Sequence, residues 1–422
     1  MFDLDKWQEI FAALKKNKMR TILTAFGVFW GIFMLIIMLG SGRGLQNAVY
    51  DGMKDFATNS IFLMTQPTSE PYAGFPRGRR FYFRNADIEA LRTNIPEIDL
   101  IAPRLQGRGN PGTTDNVVRG LKTGSFTVNG DFPEWNSIDP VDIHEGRFVN
   151  HLDILHKRKV AVIGNLVKDI LFEEGEDPLG EYIRINGVYF QVVGVFSPLN
   201  RNMNFGGDKA QSIFIPFTTL QQTYNYGDVV GWFAMTAKPQ YAASVIDAKA
   251  RDLLKRRHKV APHDQQAIRG FNMEEEFKKV SGLFMGIQVL VWIVGTGTLL
   301  AGVIGISNIM LIVVKERTKE IGIQRALGAT PRKIISQIIT ESVFLTTLAG
   351  YFGLSLAVFL LEVINKALAA NASEDMAFKN PEVDFNIAVT ALIILVISGA
   401  LAGLMPAKRA VSIKPIDALR DE

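Results

Sequence analysis

Four long apolar runs stand out in the pattern of hydrophobic and polar positions along the chain. A helix needs about 20 mainly apolar residues to cross a hydrocarbon layer of roughly 30 Å. The runs predict four transmembrane helices, TM1 to TM4, which cover residues 21–42, 281–314, 334–361 and 385–405. At about 1.5 Å per residue TM2 exceeds one bilayer, so its first turns are expected to form a stalk on the outer side. The pattern therefore predicts an α-helical membrane protein.

Residues 43–280 separate TM1 from TM2 and have the mixed composition of a water-soluble domain. Residues 85–93 have the pattern of a capped helix, and a strand pattern follows them. Residues 159–172 change from a β-rich run to an apolar helix, and Asn186-Gly187 is a strong hairpin signal. These patterns predict a large extracytoplasmic α+β domain inserted between TM1 and TM2.

Lysine and arginine are distributed unevenly around the apolar runs. Cytoplasmic loops retain positive charge, so the more basic side marks the cytoplasm. The basic stretches are the leader 1–20, the loop 315–333 and the tail 406–422, whereas the outer loop 362–384 is acidic. We therefore expect both termini in the cytoplasm. Apolar residues at helical spacing in the leader fit an interfacial amphipathic helix and a plain helical leader equally well.

Composition narrows the range of functions. Lys and Arg number 46 and Asp and Glu 42, and a net charge of +4 is too even for a dedicated nucleic-acid binder. Without cysteine, the chain has no disulfides, thiolate zinc sites or iron–sulfur clusters. The five histidines lack zinc-ligand spacing, and no catalytic pattern stands above chance. No G-x-x-x-x-G-K-[ST] sequence occurs, so we expect no cofactor, metal or catalytic residue on this chain.

Small residues recur one helical turn apart within the apolar runs. They are Gly27 with Gly31, Gly297 with Ala301 and Gly305, and Gly399 with Gly403. Such spacing lets helix backbones approach closely in lipid, where packing rather than hydrophobicity drives association. We expect these residues at helix contacts, although glycine is common in membrane helices in any case.

Glu341 is a carboxylate within TM3. Placed at the bilayer centre it would cost about 2.5–3.5 kcal/mol, and less near the inner interface. A proton relay is the alternative, but the sequence offers no second buried ionisable group as its partner.

The loop 315–333 has an ordered pattern of its own. Charged residues come first, at Glu316, Arg317, Lys319 and Glu320, and apolar residues follow at Ile321, Ile323, Ala326 and Leu327. Gly328 then provides a helix stop, and Thr330-Pro331 begins the next helix. The pattern predicts a short amphipathic helix along the membrane surface. A charged tether is the simpler alternative, but a tether needs no apolar face.

Four segments together resemble one family. The signature of MacB/FtsX-type ABC transporter permeases closely resembles ISNIMLIVVKERTKEIGIQRALGATPRKI. The family's opening resembles KKNKMRTILTAFGVFWGI, its outer-domain core resembles KVAVIGNLVKDILFEEGEDPLGEYIRINGVYFQVVGVF, and its tail resembles GLMPAKRAVSIKPIDALR. MacB itself has a fused nucleotide-binding domain before its first membrane helix. This chain begins almost at the leader, so the resemblance implies a separate ATPase subunit.

The resemblance also implies an architecture and partners. Members have four membrane helices and a large MacB-like core domain between the first and second, with a variable lobe that we place at about residues 105–205. The loop 315–333 would be the coupling helix on an ABC ATPase subunit, which binds ATP and Mg. Its polar contacts would be Glu316, Arg317, Lys319, Glu320 and Arg325, its buried face Ile321, Ile323 and Leu327, and its end Gly328. A second permease copy or a paralogue would complete a dimer, with a periplasmic adaptor and an outer-membrane duct as further partners.

In this family, ATP-driven dimer closure is relayed through long second helices to the outer domains, and the substrate usually does not pass through the four-helix bundle. The resemblance therefore implies a mechanotransmitting permease subunit of the inner membrane, without enzyme activity of its own, that serves efflux of antimicrobial compounds or peptides. Two alternatives stay open: lipoprotein extraction, and regulation of cell-wall hydrolases or a signalling scaffold without transport. The sequence also leaves open the substrate, the choice of homodimer or heterodimer, and the Gram type.

Overall fold

The computed structural model describes residues 18–53, 56–107, 114–199, 207–370, 378–383 and 385–412. The chain divides into two compact units. The large domain comprises Tyr50–Ser281, and the membrane unit comprises Met1–Val49 with Gly282–Glu422. The predicted leader up to residue 17 and the predicted tail from residue 413 lie outside the described residues.

Short helices and strands alternate in the large domain, and long helices make up the membrane unit. The helices are α1 (Lys18–Asp51), α2 (Asn85–Asn94), α3 (Trp135–Ile138), α4 (His151–Leu155), α5 (Asn165–Leu171), α6 (Phe217–Thr223), α7 (Ala243–Arg257), α8 (Met273–Glu316), α9 (Thr318–Ala326), α10 (Pro331–Ala370) and α11 (Phe385–Ser412). The strands are β1 (Ser60–Thr65), β2 (Phe83–Arg84), β3 (Ile98–Gln106), β4 (Asp115–Arg119), β5 (Lys122–Asp131), β6 (Val141–Gly146), β7 (Val160–Gly164), β8 (Tyr182–Ile185), β9 (Val188–Pro198), β10 (Ser212–Pro216), β11 (Val229–Val230), β12 (Trp232–Ala237) and β13 (Ile268–Asn272).

One mixed sheet forms the centre of the large domain. Among the described residues it has eleven strands, in the order β10-β7-β9-β8-β4-β5-β3-β12-β1-β13, with β6 paired to β9. The second half of β5 runs parallel to β10 while its first half pairs with β4, so six strands close into a ring. Asn186 and Gly187 both have positive φ in the turn from β8 to β9, as the hairpin signal predicted. The predicted α+β class is confirmed.

A buried ion pair crosses the sheet of the large domain. Arg104 on β3 forms two hydrogen bonds of 2.6 Å to the carboxylate of Asp131 on β5, and both residues are at most 2% exposed. The Trp135 ring covers the guanidinium at 3.4 Å. Removing one member of such a pair leaves an uncompensated buried charge, at a cost of about 3–5 kcal/mol. The pair therefore fixes the register in which β3 meets β5.

Four helices of the described chain, α1, α8, α10 and α11, are long and apolar enough to cross a membrane. Each helix extends past the apolar run that predicted it, at residues 21–42, 281–314, 334–361 and 385–405, so each run is the apolar part of a longer helix. The first residues of the predicted outer loop 362–384 belong to α10, and those of the predicted tail 406–422 belong to α11, with Pro406 inside that helix. A helix ends where its backbone hydrogen bonding ends, and polar side chains alone do not stop it.

The start of α8 illustrates this difference. The Asn272 side-chain oxygen accepts hydrogen bonds from the backbone N–H groups of Glu274 at 2.9 Å and Glu275 at 3.3 Å, which caps the helix. Acidic residues in the first turn also favour a helix N-terminus. The cap and the acidic turn explain why α8 begins eight residues before the predicted TM2.

Helices α10 and α11 pack antiparallel through a row of small residues. A Cβ added at Gly399 would collide with the Thr346 side chain, and one at Gly403 would lie 2.9 Å from Oγ of Ser342. Gly350 on α10 accommodates Leu395 of α11 in the same way. The contacting residues are spaced four apart on each helix. A ridge of such residues on α10 therefore packs against the corresponding ridge on α11.

Helices α1 and α8 also meet at small residues, and on α8 the contact is made by Gly302 and Leu299. Cβ atoms added at Gly27 and Gly31 would lie 3.8 Å from Cα of Gly302 and 3.5 Å from Leu299, respectively. A Cβ at Gly297 would have no neighbour within 4 Å, and Ala301 is exposed. Gly305 is half-buried. Small residues occur on both faces of α8, and a helix contact at Gly297 and Ala301 stays a prediction.

We predict that Gly399→Ala lowers the stability of the membrane unit, because the new methyl group collides with Thr346 and backbone lies close behind it. Overpacking of this kind costs about 1–3 kcal/mol. Gly286→Ala on α8 is the matched control, since its Cβ would enter open space. Thermal unfolding of the two variants in the same detergent measures the difference, and equal melting temperatures would contradict the packing described here.

Candidate functional site

The segment between α8 and α10 holds the residues that the sequence analysis singled out. Helix α9 follows α8 after a single residue, Arg317, and ends in a turn. Gly328 has φ +96°, and its N–H donates to the carbonyl of Arg325 at 3.1 Å while the Ala329 N–H donates to that of Gln324 at 3.0 Å. This pair of bonds is a Schellman motif, in which glycine is favoured because a left-handed conformation is required. The turn brings Pro331 to the first position of α10.

The apolar residues of α9 lie on two faces. Ile321 is only 8% exposed, whereas Ile323 is 48% and Leu327 84% exposed. At 3.6 residues per turn, positions 321 and 323 are about 200° apart around the helix, and 323 and 327 only about 40°. Ile321, Ile323 and Leu327 therefore do not share one face of the helix, and burial of Ile323 and Leu327 against an ATPase subunit stays a prediction. Ile321 packs inward, and Ile323 and Leu327 together form an exposed apolar ridge.

The two arginines of this segment point into the chain. Arg317 donates from Nε to Oε2 of Glu320 at 2.8 Å and from Nη1 to Oε1 of Glu341 on α10 at 3.1 Å. Arg325 donates from Nη1 to the backbone carbonyl of Val411 on α11 at 2.7 Å. Both arginines were predicted to contact an ATPase subunit, and within this chain both contact neighbouring helices.

Three other charged residues of the segment face outward. Glu316, Lys319 and Glu320 are exposed. They lie on either side of the junction between α8 and α9. Together with the apolar ridge they form the outer surface of the segment, which combines apolar area with charges of both signs.

The ion pair between Arg317 and Glu341 is the feature that sequence analysis missed. Glu341 is 5% exposed and lies in a small cleft beside Ile321. The cleft is lined by Val313, Val314, Arg317, Ile321, Gln324, Ile334, Gln337, Ile338 and Glu341. The partners are 24 residues apart, so no local pattern joins them. The sequence did contain one sign of such a pair, because a single carboxylate in an apolar run usually has a charged or polar partner.

Histidine and carboxylate side chains lie close together at several places in the part of the chain that the structure describes. No group of three or more His, Asp or Glu residues there could hold a metal ion. The His258 ring lies 2.7 Å from Asp87, whose other oxygen accepts a 2.6 Å hydrogen bond from Arg257. Burial alone would raise the pKa of the Asp87 carboxyl, but hydrogen bonds from His258, Arg257 and the Arg84 backbone lower it below its usual value. The carboxylate thus stays charged and holds α2 to α7.

Comparison with known proteins gives two family matches. The MacB-like periplasmic core domain matches residues 21–253, more than half of the chain, and the FtsX-like permease C-terminal domain matches residues 292–415. The second match includes α9 and Glu341. The chain belongs to the MacB/FtsX-type family of ABC transporter permeases.

Two relatives illustrate the similarity. The pyoverdine export ATP-binding/permease protein PvdT of Pseudomonas putida is 29% identical over 99% of this chain and 60% of its own length. The macrolide export ATP-binding/permease protein MacB of Bdellovibrio bacteriovorus is 28% identical over 98% of this chain and 61% of its own length. The chain thus spans about three fifths of the length of these relatives. The solved periplasmic region of MacB from Actinobacillus actinomycetemcomitans is 18% identical with a TM-score of 0.43, and the match covers 54% of this chain and 95% of that one.

We predict that Ile321→Ala destabilises the membrane unit by about 2–4 kcal/mol, because it opens a cavity between α9 and α10. Ile323→Ala, at a half-exposed position two residues away, should cost far less. Chemical unfolding followed by intrinsic fluorescence measures both changes. Similar losses in the two variants would mean that the assignment of buried and exposed faces on α9 is incorrect.

Proposed function

We propose that this chain is the permease subunit of an ABC exporter and that the outer surface of α9 docks onto a separate ATPase subunit. The observation that carries this proposal is the apolar ridge of Ile323 and Leu327, exposed beside Glu316 and Lys319. An exposed apolar patch with a charged rim is typical of a protein interface. ATP and Mg bind to the partner, and this chain contributes no catalytic group.

The proposed topology places the chain in the inner membrane. The basic leader before α1, the loop 315–333 and the end of α11 lie in the cytoplasm, and the large domain lies in the periplasm. This orientation brings the outer surface of α9 to the side where ATP is available. It also leaves the large domain free to meet an adaptor and an outer-membrane duct.

Work is transmitted mechanically in this proposal. Two permease copies, or one copy and a paralogue, form a dimer that closes when the ATPase subunits bind ATP. Helix α8 runs without interruption from Met273 in the large domain to Glu316 beside α9. Movement at α9 therefore reaches the large domain through one continuous helix rather than through a flexible linker.

The transported material is a small toxic compound or peptide. Support comes from relatives named for the export of pyoverdine and of macrolides, each of which aligns with nearly the whole of this chain. The substrate enters from the periplasm and leaves through the duct, so no pathway through the four helices is needed.

The docking proposal predicts that Leu327→Asp removes the ATPase subunit from the purified complex. A carboxylate in a desolvated interface has no partner, and hot-spot losses of about 2 kcal/mol or more weaken binding at least about thirtyfold. Leu121→Asp is the matched control, because Leu121 is a fully exposed leucine in the large domain. Affinity purification from native membranes with mass spectrometry reads out the ATPase. If the Leu327→Asp variant retains the ATPase subunit, the proposed docking surface is incorrect.

The efflux proposal predicts that a deletion strain becomes more sensitive to antimicrobial compounds or peptides. The parent gene should restore resistance, and the Leu327→Asp variant should not, because export needs the ATPase. Minimum inhibitory concentrations across a panel that includes macrolides and cationic peptides measure the effect. A strain with unchanged sensitivity but a division or cell-wall defect would argue for a regulator that transports nothing.

A further inference from the structure

The segment around α9 is held to the membrane unit at both ends by arginine side chains. At its start, the Arg317 guanidinium reaches Glu341 on α10, and at its end the Arg325 guanidinium reaches the Val411 carbonyl on α11. Between these ties, Ile321 is buried. The outer surface of α9 and its inner attachments are therefore formed by different residues.

The attachment at the start of α9 is directional. Arg317 donates from Nε to Glu320 on α9 and from Nη1 to Glu341 on α10, so one planar guanidinium joins the two helices. The side chain of Glu341 is 7% exposed and that of Arg317 19%. Apolar contacts allow side chains to slide past one another, whereas a partly buried charged hydrogen bond is lost when its geometry changes. The pair therefore resists relative movement of α9 and α10.

The attachment at the end of α9 uses the main chain. Val411 is the penultimate residue of α11, where carbonyl groups have no intrahelical donor. Arg325 supplies a donor at 2.7 Å and so joins α9 to the last turn of α11. Helix α11 packs along α10 through Gly399 and Gly403. The contacts of Arg317 and Arg325 therefore attach α9 to the same pair of packed helices.

We propose that Arg317 and Glu341 are positioning residues that transmit displacement of α9 to α10, with Arg325 as the second tie to α11. This inference rests on the proposed function, since it assigns the transmission step that follows ATPase docking. Docking uses Ile323 and Leu327, and transmission uses Arg317 and Glu341. Because docking and transmission use different residues, a mutation can abolish transmission and leave docking intact.

The test measures docking and transmission in the same samples. The chain has no cysteine, so Leu121→Cys provides a unique labelling position on the large domain. The permease is reconstituted with its ATPase subunit in lipid nanodiscs, and the ATP-induced change in the distance between spin labels on the two copies is recorded together with ATPase affinity. Glu341→Gln and Arg317→Gln are compared with Glu362→Gln, which removes an exposed ion pair with Lys366 on the same helix α10.

Glu341→Gln and Arg317→Gln should each retain the ATPase but lower the fraction of molecules that respond to ATP by about tenfold, within the usual range of coupling between sites. Glu362→Gln should respond like the parent. The double variant Arg317→Glu with Glu341→Arg should recover much of the response, which would show that pairing between the two positions, rather than either side chain alone, is required.

Three results would overturn the inference. A parental ATP response in both single variants would show that the pair transmits nothing. Loss of the ATPase from the single variants, but not from the parent, would make the pair part of docking or folding. A charge-exchanged variant that binds the ATPase but responds no better than the single variants would exclude direct pairing as the cause. If the parent itself recruits no ATPase, the proposed function fails first, and that outcome is distinct from all three.

Discussion

Backbone hydrogen bonding in hydrocarbon is the constraint on which the structure depends. Lipid offers no partner to an N–H or C=O group, so a segment that crosses it must satisfy its own backbone as a helix. The four long helices α1, α8, α10 and α11 meet this requirement, and the strands lie in the large domain. Directional contacts between the long helices are then left to side chains near their ends and to places where small residues let backbones approach. Arg317 with Glu341 exemplifies the first and Gly399 the second.

Both units use a buried arginine–carboxylate pair where two elements must keep one alignment. Arg104 and Asp131 fix neighbouring strands in the large domain, and Arg317 and Glu341 join α9 to α10. Neither pair is a strong source of stability, because desolvation offsets much of the attraction. Their contribution is specificity: a shift of one element leaves a charge without its partner. The same chemistry thus holds a static sheet in one unit and, in the proposed mechanism, a moving contact in the other.

The long-range features could not be predicted from the sequence, whereas the local ones could. Apolar runs of sufficient length predicted four helices because bilayer thickness sets a length, and Asn186-Gly187 predicted its hairpin because positive φ is required there. The start of α8 could not be predicted from the apolar run, because charged residues in the first turns do not stop a helix that Asn272 caps. The different orientations of Ile321 and Ile323 on α9 could not be predicted from the order of charged and apolar residues, because that order is not a helical periodicity. Glu341 could not be matched to Arg317, since their proximity arises only when two separate helices pack.

Pro406 gives the last helix a property that its neighbours lack. Proline has no N–H, so the carbonyl four residues earlier, at Ala402, receives no helical hydrogen bond, and the ring crowds the preceding turn. The cost of bending α11 is therefore lowest at this point, six residues before its end. Beyond it lies the turn that Arg325 holds through Val411. Helix α11 thus bends most easily between its membrane-crossing part and its final turn, so in the proposed mechanism displacement passed through Arg325 acts first on that turn, whereas displacement passed through Glu341 acts directly on α10.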